Sequence, residues 1–282
     1  MLLRLFLHSE RSRQNIRKTN QNPYRQQTAD SNTPDLSSKT DEEIFQWYLA
    51  QAEKGDANAQ MVVSDYYSLG VVGDKNPEKA FYWIYKSASQ GNPCGMISLG
   101  DMYFDGTGVK KDVYQSFAWY QKSADLGNPI AKTRLSVMFL DGVGVEQNYE
   151  EAERLFTESA RQFQPEAMAY LGYIYGDGLG VNTDYYVSYK WYSLAYVIAK
   201  KEIERLNNMS SGTIADKKIN EQAIIFLNDF LHISEQSKNN IEKKLTKNQL
   251  LEITDYVNSE IQRWKEKSES GELLQAPFFC NP

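Results

Sequence analysis

The chain has 282 residues, of which 41% are hydrophobic and 24% are charged, and its net charge is -6. That composition is typical of a folded soluble protein, and the acidic balance disfavours nucleic-acid binding, which normally uses a basic surface. The only cysteines are Cys94 and Cys280, and the only histidines are His8 and His232. So few ligands and bases disfavour a metal centre or a catalytic triad. We expect no catalytic residue, no metal and no cofactor.

Residues 1–39 are polar and basic, with no apolar periodicity after Leu7, and this pattern predicts a disordered N-terminal arm. A basic arm could contact RNA, lipid headgroups or an acidic partner, but a solvated tail is the simpler interpretation. The apolar start covers only seven residues and contains Arg4. Secretory signals and membrane spans need longer apolar segments. We therefore expect a cytoplasmic protein, or a periplasmic one if the start codon is misassigned.

A 36-residue repeat runs through residues 40–199. Four of the five tryptophans share one place in it, which we call the tryptophan position: Trp47, Trp83, Trp119 and Trp191, with Leu155 at the remaining site. A fixed period of this length is typical of a solenoid, whose units bury their apolar faces by stacking on their neighbours. We expect the side chains at the tryptophan position to form the structural core of the repeats by filling the groove between units.

Each unit has the pattern of two helices joined by a short loop. The first helix carries apolar residues four apart, such as Leu135 and Phe139, and the second is centred on the tryptophan position. Thr40, followed by three acidic residues, predicts the start of an initial second helix that caps the stack. We predict an all-α fold, a right-handed α/α superhelical solenoid of about four helix-turn-helix repeats.

The period fails from about residue 200. Helical patterns return over residues 215–234 and 238–267, and we predict that residues 200–267 form a C-terminal helical cap that contains an insertion. Such a cap would cover the last apolar face of the solenoid. Residues 268–282 are interpreted as a tail.

The loop inside each unit carries a glycine motif. It is Asp-Gly-x-Gly at residues 105–108, 141–144 and 177–180, whereas the first unit has Gly70 and Gly73 instead. A calcium or phosphate loop is disfavoured, because the alternating carboxylates, the lysine and the preceding strand that such loops use are missing. A tight turn with glycines at positive φ explains the motif better.

These loops, followed by the Trp-Tyr pair of the second helix, resemble the Sel-one-like repeat family, which is related to the tetratricopeptide repeats. The resemblance covers about residues 44–199, and the first copy departs from it because its second glycine is displaced. It implies an α/α superhelix that acts as an adaptor or scaffold for protein complexes. Members of the family serve in bacterial signalling, envelope assembly, host interaction and toxin–immunity pairs.

A candidate partner-binding surface lies on the first helices, at positions that change character from unit to unit. We predict that Asp65, Asp101, Arg134, Tyr170 and Tyr173 form one stripe on the concave face. Arginine and aromatic side chains are common anchors in protein interfaces. The alternative, that these positions are merely solvated, stays open.

The sequence thus predicts a non-enzymatic protein-binding scaffold or adaptor, whose more specific form is a bacterial immunity or regulatory protein of a secretion or signalling system. The alternative is a hydrolase or cell-wall-ligand-binding enzyme that uses the concave groove. It is less favoured because no nucleophile–base pair and no metal-ligand set is evident. We expect a protein partner, no nucleic acid and no transmembrane segment, while the partner's identity and the oligomeric state remain open.

Overall fold

A computed structural model describes residues 39–208 and 214–270. Nearly all of the predicted arm and most of the predicted tail lie outside these residues. The described part of the chain forms eleven α-helices and no strand: α1 (Asp41–Glu53), α2 (Ala57–Leu69), α3 (Pro77–Ser89), α4 (Pro93–Asp105), α5 (Val113–Asp125), α6 (Pro129–Asp141), α7 (Tyr149–Ala160), α8 (Pro165–Asp177), α9 (Tyr185–Asn208), α10 (Ile214–Glu242) and α11 (Lys247–Glu269).

The odd-numbered helices from α1 to α9 all begin after a capping side chain at the same place in the repeat. The caps are Thr40, Asn76, Asp112, Asn148 and Asp184. At Thr40 the cap is reciprocal, because the Glu43 amide donates to the Thr40 hydroxyl (3.2 Å) and the Thr40 amide donates to the Glu43 carboxylate (2.9 Å). The predicted start of the first helix is confirmed.

The even-numbered helices from α2 to α8 end at a left-handed glycine. Gly70, Gly106, Gly142 and Gly178 have φ values of 63°, 79°, 68° and 70°. The second glycine of the motif is needed for close approach as well, since a Cβ on Gly108 would overlap the carbonyl oxygen of Pro77. The interpretation of the glycine motif as a tight turn is confirmed.

The chain divides into two compact units. Among the described residues, the first holds 39–123 with 205–208 and 214–226, and the second holds 124–204 with 227–270. In the first unit α1 packs on α2, α2 on α3, and α3 on α4. In the second unit α6 packs on α7, and α7 on α8. Helices that follow each other in sequence therefore pack together within each unit, as a repeat fold requires.

The residue after the tryptophan position is a large side chain that is buried in every second helix. Tyr48, Ile84, Tyr120, Phe156 and Tyr192 are all buried. At the tryptophan position itself only Trp83 and Leu155 are buried, whereas Trp47, Trp119 and Trp191 are partly exposed. Trp47 and Trp119 nevertheless pack against buried clusters, so the tryptophan position contributes to the core without being fully enclosed in every unit.

Small residues on the first helices explain this arrangement. The ring of Tyr120 lies so close to Gly100 that a Cβ there would overlap it, and a Cβ on Gly172 would come within 2.8 Å of the Tyr192 ring. The tyrosine therefore occupies the space between the two helices. The tryptophan that directly precedes each of these tyrosines points in another direction around the helix, towards the surface.

A buried serine ties three of the second helices, α3, α5 and α7, to the first helix of the same repeat. The hydroxyls of Ser87, Ser123 and Ser159 donate to the carbonyl oxygens of Ala57, Pro93 and Pro129 at distances of 2.7, 2.9 and 2.8 Å. Each pair spans 30 residues, so the bond recurs with the repeat. The carbonyl at the start of the first helix thus keeps a partner in a region that water does not reach.

The C-terminal helices differ from the predicted pattern. The polar stretch at residues 235–237 does not separate two helices, because it contains no glycine or proline and α10 continues through it to Glu242. The new helix begins instead at Thr246, whose hydroxyl accepts from the Gln249 amide at 3.3 Å. The predicted division into helices at 215–234 and 238–267 is therefore wrong at the internal boundary.

Cation–π contacts join α10 and α11 to α9 within the second unit. The Lys190 ammonium lies 3.6 Å from the ring centre of Tyr256, and the Lys244 ammonium lies 3.7 Å from that of Tyr185. Lys238 lies over Tyr189 and Tyr196. Burial lowers the pKa of Lys190 and of Lys238, so these contacts are partly shielded from water. Contacts of this kind are worth more when water is excluded.

Phe163 takes the place of a repeated glycine. Gly55, Gly91 and Gly127 end the second helices with φ of 103°, 88° and 89°, and Phe163 follows at the same repeat position with φ of 63°. A left-handed conformation costs an ordinary residue about 1–2 kcal/mol. The Phe163 side chain is buried, and the Arg263 guanidinium of α11 lies 5.6 Å from its ring centre. Burial of the ring offsets the backbone strain.

Candidate functional site

The two predicted surface residues of the first unit lie on α2 and α4. Asp65 is partly buried. The Asp101 carboxylate accepts a 2.6 Å hydrogen bond from the Tyr120 hydroxyl. Because the Tyr120 ring belongs to the inner core, Asp101 fixes the position of a core side chain. In the folded chain that carboxylate therefore already accepts a hydrogen bond before any partner protein binds.

The predicted arginine anchor of the second unit is held by an ion pair. Arg134 on α6 donates through Nη1 to both carboxylate oxygens of Glu166 on α8, at 3.1 and 3.3 Å. The two side chains are only 16% and 11% exposed. Separating a largely buried ion pair costs several kcal/mol, so Arg134 joins α6 to α8 and is not presented for binding.

Tyr170 contradicts the predicted surface most clearly. It is 5% exposed, and its ring stacks on Phe156 with ring centres 4.8 Å apart. Burial raises the pKa of its hydroxyl. Tyr173, one turn further along α8, is partly exposed; burial, followed by the carboxylates of Asp177 and Asp141, raises its pKa. Tyr170 is therefore a core residue, and the prediction that it is a surface anchor is wrong.

A different set of side chains is exposed in the first unit. We call it the aromatic–lysine face and define it as Tyr82, Tyr85 and Lys86 of α3 with Tyr114, Trp119 and Lys122 of α5. Tyr82, Tyr85 and Tyr114 are 51%, 46% and 73% exposed. Exposed aromatic residues that cluster in this way are typical of interaction surfaces.

Five of the six side chains of this face, all except Tyr114, make ring or cation contacts with another member of the face. Tyr85 meets Trp119 edge to face, with ring centres 6.2 Å apart. The Lys122 ammonium lies 3.7 Å from the Trp119 ring centre, and the Lys86 ammonium lies 4.6 Å from that of Tyr82. The face is therefore continuous from α3 to α5.

The sequence indicates this face when equivalent positions of the repeats are compared. The residue before the tryptophan position is Gln46, Tyr82, Ala118, Arg154 and Lys190 in successive units. Tyr114 likewise stands where other units have Glu42, Glu78 and Glu150. A position that accepts charged residues in other units faces solvent, so an aromatic residue there is exposed. Comparing the units position by position would have found Tyr82 and Tyr114.

An open depression adjoins the face. It is lined by Ala52, Glu53, Gly55, Gln60, Tyr85, Lys86, Ser89 and Gln90. The Gln90 side-chain amide donates to the Gln60 side-chain oxygen at 2.7 Å. Tyr85 and Lys86 belong to both features, so the depression extends the face towards α1 and α2.

Within residues 39–208 and 214–270, no group of three His, Cys, Asp or Glu side chains is placed to hold a metal ion. His232 is exposed, and its ring nitrogen Nε2 lies 2.8 Å from the side-chain amide of Gln236. No described helix is both long enough and apolar enough to cross a membrane. Cys94 lies on α4, and Cys280 lies outside the described residues. The cytoplasmic location stays a prediction.

The helical repeats place the chain among the α/α repeat proteins. The family model of the Sel1 repeat matches four times, at residues 57–92, 95–128, 129–162 and 165–196. The chain therefore contains four Sel1 repeats, and both the recognition and the fold class predicted from the sequence are confirmed. Sel1 repeats imply a protein-interaction scaffold, and proteins built from them are generally not enzymes. No curated protein matches the sequence significantly.

Solved structures agree on the fold. A protective antigen from uropathogenic Escherichia coli that displays an SLR fold is 28% identical, with a TM-score of 0.53, over 66% of this chain and 40% of that one. A Sel1 repeat protein from Oxalobacter formigenes is 23% identical with the same TM-score, over 68% of this chain and 81% of that one. The chain thus spans well under half of the antigen's length.

An immunity protein from Pseudomonas aeruginosa shares 18% identity, with a TM-score of 0.43, over 82% of this chain and 84% of that one. Similarity at this level does not transfer its role to the present chain.

Proposed function

We propose that this chain is a non-enzymatic scaffold, of bacterial type, that binds one protein partner. The observation that carries the proposal is the contrast between buried and exposed repeat positions. In the four full repeats the position three residues before the tryptophan position is small and buried, at Ala80, Ser116, Ala152 and Ser188. The position directly before the tryptophan position holds a different residue in every unit. A constant core that supports a changing surface is suited to recognition.

The adaptor or immunity role is the more specific form of this proposal. Such a protein needs a rigid surface that fits one partner, and preorganised helices provide one at low entropic cost. The competing function, a hydrolase or a ligand-binding enzyme in the concave groove, has less support. In the described part of the chain the predicted groove residues Arg134 and Tyr170 are committed to internal contacts.

The experiment is affinity purification of the full chain from its source cell, with crosslinking and mass spectrometry. We expect one protein to be enriched in near-stoichiometric amount. A bait carrying Tyr192→Ala, which removes a core ring, is the matched control and should lose that protein. Enrichment by both baits, or turnover of an ester, amide or glycan by the purified protein, would contradict the proposal.

A further inference from the structure

The aromatic–lysine face combines exposed rings with two lysines. Glu53 lines the adjoining depression together with Lys86, and Asp125 follows Lys122 by three residues on α5. None of the ion pairs seen among the described residues involves Lys86 or Lys122. Residues 82–90 and 114–123 contain no aspartate or glutamate. The corresponding part of α7 carries Glu150, Glu151, Glu153 and Glu158. The face is thus locally positive on a chain of net charge -6.

The arrangement of rings and ammonium groups selects for an anion. Lys122 occupies a face of the Trp119 ring, and Lys86 occupies a face of the Tyr82 ring. A sugar or a nucleobase stacks on an open ring face, and on Trp119 and Tyr82 one face is already covered by an ammonium group. The ammonium groups also offer N–H donors, and the ring edges carry partial positive charge. Both attract carboxylates.

The second unit shows which kind of element covers a similar surface. α9 carries Tyr189 and Lys190 at the repeat positions of Phe81 and Tyr82, and the helices α10 and α11 lie against it. Tyr256 of α11 covers Lys190. Burial lowers the pKa of Lys190, and the Glu260 carboxylate of the same helix opposes that shift. A helix that brings rings and carboxylates therefore satisfies this type of surface.

We propose that the aromatic–lysine face docks an amphipathic helix of a partner protein, with the partner's apolar side chains against Tyr82, Tyr85 and Tyr114 and its carboxylates against Lys86 and Lys122. The proposal rests on the proposed scaffold function and adds a surface and a partner chemistry to it. Helices that lie with an apolar side in a groove are a recurrent mode of recognition.

Site-specific photocrosslinking in the source cell tests the surface. A benzophenone amino acid is placed at Tyr114, at Glu150 and at Tyr173 in separate full-length variants. Tyr114 and Glu150 share one repeat position, which makes Glu150 the matched control. We expect the partner to crosslink from Tyr114 alone, through a peptide that has helical apolar periodicity and several acidic residues.

Each other outcome has a distinct meaning. Crosslinking from Glu150 or Tyr173 alone would overturn this proposal and leave the scaffold function intact. Absence of a crosslinked protein from all three positions would contradict both. A crosslinked peptide that is basic, or that lacks helical periodicity, would refute the partner chemistry.

Charge reversal tests the chemistry on the captured partner. Lys86→Glu with Lys122→Glu should weaken binding by about tenfold or more and reduce its salt dependence. Lys110→Glu with Lys111→Glu, in the exposed loop between α4 and α5, makes the same change of charge outside the face. Equal weakening by the two pairs would show a general charge effect and overturn the proposal.

Discussion

The outer side of α3 in the first unit and the outer side of α9 in the second unit carry similar residues in different surroundings. On α9, Tyr189 and Lys190 are covered by Lys238 and Tyr256 of the C-terminal helices. On α3, Tyr82 and Tyr85 are exposed. The comparison shows that this mixture of rings and lysines is suited to a helix–helix interface, and that composition alone does not tell whether the interface is already filled.

The largest expected effect tests whether the inner core is built in the same way in both regions. Tyr120→Ala and Tyr192→Ala should each lower the free energy of unfolding by roughly 3–5 kcal/mol, because each removes a buried ring that packs against a glycine. Urea denaturation measures the change. Trp119→Ala is the control and should cost clearly less, since that ring is partly exposed. If Trp119→Ala cost as much as Tyr120→Ala, the assignment of the inner core would be wrong.

The next effect on stability concerns the outer side of α9, which the C-terminal helices cover. Tyr256→Ala should lower the free energy of unfolding by about 1–2 kcal/mol, because it removes the ring over the Lys190 ammonium. Hydrogen exchange should quicken in α11 and remain unchanged in α3. Tyr256→Phe keeps the ring and should be nearly neutral. Uniform quickening in both helices would mean that the contact does not act locally.

A smaller effect on stability is expected at the buried serine, which some repeats have and others lack. Ser87→Ala leaves the Ala57 carbonyl without its buried donor and should cost about 1 kcal/mol. α9 already has Ala195 at this repeat position. Ser89→Ala, on the exposed side of the same helix, is the control for helix propensity. A Ser87→Ala variant as stable as the control would show that the hydrogen bond contributes nothing.

The smallest effect on stability is expected in the open region. Tyr82→Ala should change the free energy of unfolding by less than about 0.5 kcal/mol, because surface substitutions away from packed groups have little effect. Thermal melts followed by circular dichroism measure the change. A loss near 2 kcal/mol would mean that Tyr82 is covered by another part of the folded chain.

The repeat fold could be predicted because its signals are local. A capping threonine, left-handed glycines and a fixed period each reflect one turn or one helix end, and Thr40 and Gly106 lie where those patterns indicated. The period showed that the tryptophan position is structural. It could not show which of two adjacent large residues faces the neighbouring helix. That depends on Gly100 and Gly172, which lie on another helix and leave room for Tyr120 and Tyr192.

The predicted binding surface failed for a related reason. Variation between units was interpreted as exposure, but Val62 and Tyr170 occupy the same repeat position and both are buried. A first helix is packed on more than one side, so fewer of its positions face water than its periodicity suggests. The second helices expose more of their outer positions, and there the comparison of Tyr114 with Glu150 predicts exposure correctly. The surfaces of Asp65 and Tyr173 stay candidates for binding.

Phe163 limits which repeats of this chain could be removed or duplicated. The first two repeats end in glycine, at Gly91 and Gly127, so their junctions are chemically alike and one unit could be removed or duplicated by joining matching ends. The junction between the third and fourth repeats ends instead in a left-handed phenylalanine whose ring depends on being buried and lies beside Arg263 of α11. Shortening the chain from its C-terminus would remove that neighbour. The last repeats and the C-terminal helices are therefore best inherited, exchanged or engineered as a single block.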